Sequence, residues 1–183
     1  MKQIKKIIDV PTEVNVHIEG SLAKIKGPHG ENSRIFKLIG MNLEHSNNQL
    51  ILSTAKTTRN FKKNLNSIAA HLKNMIKGVL EIYVYKLKIC SGHFPMNVAI
   101  DKNEIVVKNF LGEKIPRRAL ILPGVKVRLD KDIITLESSD KEKAGQTAAN
   151  IESSTRITDK DRRVFMDGIW MIEKAGKELK WNS

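Results

Sequence analysis

The sequence predicts an α+β fold made of two tandem homologous units, each with short, mostly antiparallel strands packed with one helix. An internal repeat, alternating apolar residues and one helix-like segment late in each copy support this fold class. Shifting the sequence by 82 residues places Asn15–Glu19 over Asn97–Asp101, and Gly30-Glu31 over Gly112-Glu113. We expect an N-terminal unit at residues 1–82 and a C-terminal unit at residues 83–183.

The strands of the two copies follow one pattern. Alternating apolar residues predict a half-buried first strand in each copy, formed by Val14, Val16 and Ile18 or by Val98 and Ile100. A polar turn, a second strand and a glycine-centred turn follow in both copies. Later residues predict another strand in each copy, at Leu50–Leu52 and Ile133–Leu136. Each of these later strands leads into a helix.

The helix of the first copy is predicted by an apolar stripe at helical spacing. Its members are Phe61, Leu65, Ile68, Leu72 and Ile76. We expect Asn60 to cap the start of this helix and Gly78 to end it.

The second helix is predicted to open with Ser139 and Glu142, which have the spacing of a capping box. The apolar pattern of residues 78–90 predicts a stiff, strand-like connection between the two units.

The charge balance indicates a polyanionic partner. The 32 Lys and Arg exceed the 20 Asp and Glu by 12 charges, and the sequence pI is about 9.8. Such an excess costs self-repulsion unless a polyanion neutralises it, so we favour nucleic acid over an acidic protein or an anionic membrane. One stretch, from Thr54 to Lys77, holds six basic residues and no acid.

Several classes of protein are disfavoured by composition and spacing. Cys90 is the only cysteine, which excludes an internal disulfide framework and fits a reducing, intracellular compartment. No apolar run is long enough for a membrane span, and the charged N-terminus is unlike a secretory signal. Cys90 and His93 lack the second ligand pair that a zinc site needs. We expect no metal, no cofactor and no small-molecule substrate, and no motif in the sequence proposes a catalytic site.

Two glycine-containing turns suit phosphate oxygens, through exposed backbone N–H groups and nearby cations. The first, Lys26–Gly30, includes His29; an ordinary hairpin turn explains it equally well. The second runs from Phe110 to Arg118 and includes Lys114, Arg117 and Arg118. Paired arginines can contact adjacent phosphates bidentately.

The most distinctive stretch is Thr158-Asp-Lys-Asp-Arg-Arg-Val-Phe-Met-Asp-Gly-Ile-Trp170. It closely resembles the Asp-x-Arg-x-Phe-x-Asp-Gly-Ile-Tyr signature of the universal large-subunit ribosomal protein six family, in its archaeal and eukaryotic form, numbered nine in eukaryotes. Further matches extend the resemblance over essentially the full length. They are Lys24–Gly30, Asn74–Val79, Ser91–Val98, Asn109–Lys114 and Pro123–Val125.

The resemblance implies a duplicated α+β fold and a cytoplasmic, structural role in the large ribosomal subunit. It implies a place near the sarcin–ricin loop and the stalk base, where the chain would support the translation-factor-binding region. The expected partners are large-subunit rRNA and neighbouring large-subunit ribosomal proteins, with the principal rRNA contacts in the C-terminal unit. The predicted rRNA-binding residues, in the signature, just before it and in the two turns, are Lys160, Arg162, Arg163, Arg156, Lys114, Arg117, Arg118, Lys26 and His29.

Asp167 and Gly168 match the turn of the signature, and we expect them to be structural. We expect Val164 and Phe165 to anchor the segment on its unit. The chain departs from the family at Trp170, where Tyr is usual, and at residues 53–63, which lack a Trp-rich stretch. Two other functions stay open at this point, an RNA-processing enzyme and a free-standing assembly chaperone or extraribosomal binding module.

Overall fold

The protein is described by a computed structural model that covers residues 4–46, 48–158, 160–161 and 163–179. Within these residues the chain forms fourteen strands and two α-helices. It divides into two compact units between Ile82 and Tyr83. Each unit has its own hydrophobic core.

The N-terminal unit packs one long helix on two small antiparallel sheets. Its elements are β1 (Ile4–Asp9), β2 (Asn15–Glu19), β3 (Leu22–Gly27), β4 (Gly30–Ile35), β5 (Asn42–Ser46), β6 (Gln49–Thr54) and α1 (Arg59–Leu80). The strand orders are β1-β6-β5 and β2-β3-β4. Leu65 and Leu72 of α1 are almost fully buried and pack in one core with Leu50 and Leu52 of β6.

The C-terminal unit repeats this plan and adds strands at its end. Its elements are β7 (Tyr83–Cys90), β8 (Asn97–Asp101), β9 (Glu104–Lys108), a short 3₁₀ turn (Phe110–Gly112), β10 (Arg117–Leu120), β11 (Lys126–Asp130), β12 (Ile133–Ser138), α2 (Lys141–Ser154), β13 (Gly168–Lys174) and β14 (Lys177–Glu178). The strand orders are β10-β9-β8 and β11-β12-β7-β13-β14.

Equivalent hydrogen bonds occur inside each of the two units. The Thr54 hydroxyl donates to the Gly40 carbonyl at 2.8 Å, and the Ser138 hydroxyl donates to the Gly124 carbonyl at 2.9 Å. In each unit this hydroxyl ends the strand that leads into the helix. The predicted α+β fold of two homologous units is therefore confirmed.

The predicted ends of α1 are wrong. The helix begins at Arg59 after Thr58, two residues before the expected position, and it passes through Gly78 to Leu80. Tertiary contacts override the glycine, because Val79 is fully buried and its carbonyl accepts the His29 N–H at 3.0 Å. A Cβ at Gly27 would lie 2.8 Å from the Val79 side chain, so this glycine permits the close approach.

The cap of α2 lies one residue beyond the predicted Ser139. The Asp140 carboxylate accepts the N–H groups of Glu142 at 2.9 Å and Lys143 at 3.4 Å. A carboxylate at this position satisfies otherwise unbonded helix donors and also suits the helix dipole.

The strand-like character predicted for residues 78–90 is confirmed at Tyr83–Cys90, but the prediction that this segment connects the two units is wrong. Its first residues complete α1, and Tyr83–Cys90 forms β7, the central strand of the five-stranded sheet. Alternate side chains of β7 are buried, namely Tyr83, Tyr85, Leu87 and Ile89. The strand pairs with β12 as β1 pairs with β6, so it belongs to the repeated unit.

A buried carboxylate ties the end of β7 to the start of β13. Asp167 is 4% exposed. Its Oδ1 accepts the N–H groups of Gly92 at 2.6 Å and His93 at 3.0 Å, and its Oδ2 lies 2.6 Å from His93 Nδ1. Burial by itself raises the pKa of Asp167, but the hydrogen bonds from His93 and Gly92 outweigh it and lower the pKa.

We predict that Asp167→Asn destabilises the C-terminal unit by about 1–3 kcal/mol, since it weakens a buried, charge-assisted network. The folded-state pKa of Asp167 lies below its ordinary value of 3.8. The stability that the ionised Asp167 carboxylate contributes to the folded state is therefore fully present above about pH 4 and is lost as the pH falls further. Urea unfolding at several pH values should show a smaller acid-induced loss of stability in the variant than in the wild type.

The matched control is Asp130→Asn, which removes an exposed carboxylate at the end of β11. It should leave the free energy of unfolding nearly unchanged across the same pH range. Equal effects of the two variants would contradict the assigned role of Asp167.

Candidate nucleic-acid interface

Three loops of the C-terminal unit meet beside the Asp167 network. Asn109 Nδ2 donates to the Pro95 carbonyl at 2.9 Å, which joins the loop after β7 to the loop before the 3₁₀ turn. Arg117 donates to the Ser154 and Arg156 carbonyls at 3.0 Å, which joins β10 to the end of α2. We call residues 91–96, 109–118, 154–158, 160–161 and 163–167 the loop cluster.

Arg117 holds the loop cluster from within. Its guanidinium donates to both oxygens of Glu113, at 2.6 and 2.8 Å, and its Cζ lies 4.3 Å from the centre of the Phe110 ring. The hydrogen bond from Arg117 lowers the pKa of Glu113 despite some burial. Because its donors serve a carboxylate and two carbonyls of the unit, Arg117 is better suited to bracing than to gripping phosphate.

Other predicted residues leave their charges at the surface. Lys114 and Arg156 are exposed. The Arg118 side chain is 63% exposed and makes a 3.0 Å ion pair with Glu104. A surface pair of this kind contributes little stability and exchanges easily for another anion.

The C-terminal signature presents two exposed cations, Lys160 over a packed aromatic ring and Arg163 beside Asp161. The Phe165 ring centre lies 4.7 Å from that of His93 and 4.7 Å from the Lys160 ammonium. Arg163 is 90% exposed and pairs with Asp161 at 2.9 Å. The hydrogen bonds from Arg163 lower the pKa of Asp161. Arg162 lies outside the described residues.

This surface also has an apolar component that was not predicted. Val164 was predicted to anchor the segment, but it is 61% exposed, and Phe165 alone of the two packs on the core. Other exposed apolar side chains of the loop cluster are Phe94, Ile115 and Met166. The sequence pattern that could have predicted these exposed side chains is the placement of single apolar residues among charged and turn-forming residues.

Lys26 and His29 lie in the N-terminal unit, at the turn between β3 and β4. Both are exposed. The His29 N–H, which was a candidate phosphate donor, is already bonded to the Val79 carbonyl. This backbone donor is therefore used within the unit, whereas the Lys26 and His29 side chains remain exposed.

Two structural features relevant to other functions are absent from the described ranges. Within these ranges no group of three or more His, Cys, Asp or Glu is placed to hold a metal ion. No helix among these residues is long and apolar enough to cross a membrane.

Comparison with known proteins agrees with the duplicated fold. The family model for ribosomal protein L6 matches residues 10–82 and 94–168, one match in each unit. Large ribosomal subunit protein uL6 of Nanoarchaeum equitans is 44% identical over 184 residues, covering 96% of each chain. The uL6 proteins of Ignicoccus hospitalis and Sulfurisphaera tokodaii are 43% and 45% identical, covering 93% and 91% of this chain and 95% and 90% of their own. This chain therefore belongs to the ribosomal protein L6 family.

Proposed function

We propose that this chain is a structural protein of the large ribosomal subunit that binds large-subunit rRNA through the loop cluster. The proposed place is near the sarcin–ricin loop and the stalk base, where it would support the translation-factor-binding region in the cytoplasm. Membership of a structural, non-enzymatic family confirms the prediction that the chain is not an enzyme.

The observation that carries the proposal is a set of exposed cations on a braced support. Arg156, Lys160 and Arg163 are exposed, while Arg117 and Asp167 bind the loops beneath them. Loops that are already ordered lose less conformational entropy on binding. More of the free energy of each phosphate contact therefore contributes to affinity.

The surface suits the backbone and shape of RNA more than the edges of its bases. Arginine and lysine side chains contact phosphate, and these contacts set position without reading sequence. The Trp170 ring N–H already donates to the Met166 carbonyl at 3.1 Å, and Phe165 is packed between His93 and Lys160. The Phe165 and Trp170 rings are thus committed within the unit, which leaves Phe94 as the exposed aromatic side chain of the loop cluster and favours recognition of a structured RNA helix.

The exposed apolar side chains of the loop cluster support protein neighbours as additional partners. Ile115 and Met166 are 81% and 68% exposed. Apolar side chains at the rim of a cationic surface contribute to contacts with adjacent proteins or ribose faces. The proposed neighbours are other large-subunit ribosomal proteins.

We predict that the triple variant Arg156→Gln, Lys160→Gln, Arg163→Gln weakens binding to an rRNA fragment containing the sarcin–ricin loop. Each lost phosphate contact lowers the salt dependence, so the log–log slope should fall by about 2–3 units. Filter binding at several salt concentrations measures it. The control Lys102→Gln, Lys126→Gln, Lys131→Gln removes the same charge from exposed positions outside the loop cluster and should keep most of the slope; equal losses would refute the site.

We predict the opposite pattern for Arg117. Arg117→Gln breaks the brace and should lower the free energy of unfolding by about 1–3 kcal/mol, seen as a lower melting temperature. Its neighbour Arg118→Gln, which loses one surface ion pair, should melt like the wild type. If Arg117→Gln instead melted normally and lost RNA binding, Arg117 would be an RNA ligand.

A further prediction separates a structural subunit from an assembly chaperone. The full chain should sediment with large subunits after a high-salt wash, because many simultaneous contacts hold an integral component. Release of the chain by the wash would favour the chaperone. In washed subunits, crosslinks from the C-terminal unit should map near the sarcin–ricin loop, and crosslinks confined to distant rRNA would overturn the proposed place.

A further inference from the structure

Helix α1 carries a one-sided row of cations. From Arg59 to Leu80 it contains no Asp or Glu. Its basic residues other than histidine are Arg59, Lys62, Lys63, Lys73 and Lys77. At about 100° per residue, all five fall within roughly 100° of the helix circumference. We call these five residues the α1 stripe.

The fold determines which way the α1 stripe faces. The opposite side of the helix is buried in the core, through Leu65, Ile68, Leu72, Met75, Ile76 and Val79. Exposed Asn66 and Ala70 fill the middle of the row. Lys6 of β1 donates from Nζ to Asn66 Oδ1 at 2.8 Å, which adds a cation there. The row from Arg59 to Lys77 is about 27 Å long at 1.5 Å per residue.

The charges of the α1 stripe are poorly neutralised within the protein. Among the described residues, Arg59, Lys62, Lys63 and Lys73 make no ion pair, and Lys77 lies 3.8 Å from exposed Glu81. Arg59 repels Lys62 and Lys63, three and four positions later. These three cations also lie at the end of the helix where the dipole disfavours positive charge. An anion bound along the row would relieve both costs.

We propose that the α1 stripe is a second RNA-binding surface, belonging to the N-terminal unit, which takes the phosphate backbone of an RNA helix. It lies outside the loop cluster and uses none of its residues. A straight row of cations suits a regularly spaced line of phosphates. The exposed amides of Asn66 within the row and of Asn60 beside it supply hydrogen-bonding groups for ribose hydroxyls.

The same surface fits a protein or membrane partner poorly. Protein interfaces are depleted in lysine and centre on aromatic or other apolar anchors, whereas the large apolar side chains of α1 are buried or half-buried. Insertion at a membrane surface requires an available apolar helix face, whereas that face of α1 is the core of the unit. The observations therefore favour RNA.

The test neutralises the four cations that lack ion pairs, as Arg59→Gln, Lys62→Gln, Lys63→Gln, Lys73→Gln in the full chain. Affinity for a large-subunit rRNA fragment should fall at least about tenfold, and the salt slope should fall by about 2–4 units. The melting temperature should stay the same or rise, because repulsion along the helix is removed. A lower melting temperature with unchanged binding would overturn the proposal, since the cations would then be structural.

The matched control removes four exposed lysines outside α1, as Lys102→Gln, Lys108→Gln, Lys126→Gln, Lys131→Gln. Its net charge equals that of the α1 variant. An equal loss of affinity in the two variants would show that net charge alone explains the effect, and this result would overturn the proposal. Combining the α1 and loop-cluster variants distinguishes the two surfaces. Additive losses of affinity would support both RNA-binding surfaces. A loss of affinity confined to the loop-cluster variant would refute the α1 proposal and leave the loop-cluster proposal standing.

A crosslink identifies the class of partner. Ala70→Cys in a Cys90→Ala background places one thiol in the middle of the α1 stripe, because Cys90 is the only native cysteine. A photoreactive probe on this thiol, in purified large subunits containing the variant, should give an rRNA adduct. Adducts with protein only, or none, would overturn the assignment to RNA.

Discussion

The C-terminal unit depends on one buried carboxylate. Asp167 is almost inaccessible to solvent, yet three hydrogen bonds from Gly92 and His93 keep its pKa low and its charge in place. A charge this well bonded is costly to disturb, because breaking its contacts leaves it buried without partners. The loops that carry the exposed cations have their position set by this network and by the Arg117 brace.

Two arginines of the loop cluster occupy opposite environments in this protein. Arg117 spends its hydrogen bonds on Glu113 and two carbonyls, whereas Arg163 keeps 90% of its surface exposed. In the sequence both are arginines in a basic chain, and neither residue type nor net charge predicts which of them is held inside the unit. The difference arises from packing, since only the folded chain brings the end of α2 within reach of β10.

The fold class was predictable because the repeat, the apolar alternation and the helix stripe are local patterns that agree with one another. The errors came from residues whose long-range contacts override local preference. Gly78 does not end α1, because Val79 packs on Gly27. Val164 does not anchor the signature, because Phe165 occupies the site against His93. In the candidate site, the sequence located the basic loops, but the bracing by Arg117 required the structure.

The duplicated sheet order has a consequence for how each unit behaves alone. The strand that opens each repeat is covered by β13 in the C-terminal unit, whereas its counterpart β1 lies at the edge of its sheet. Edge strands expose backbone groups that recruit strands from other molecules, and charged side chains are a common defence. Lys5 and Lys6 sit on that edge. The two copies therefore limit self-association differently. In the C-terminal unit an added strand covers the equivalent edge, whereas in the N-terminal unit charged lysines on β1 disfavour strand pairing with another molecule.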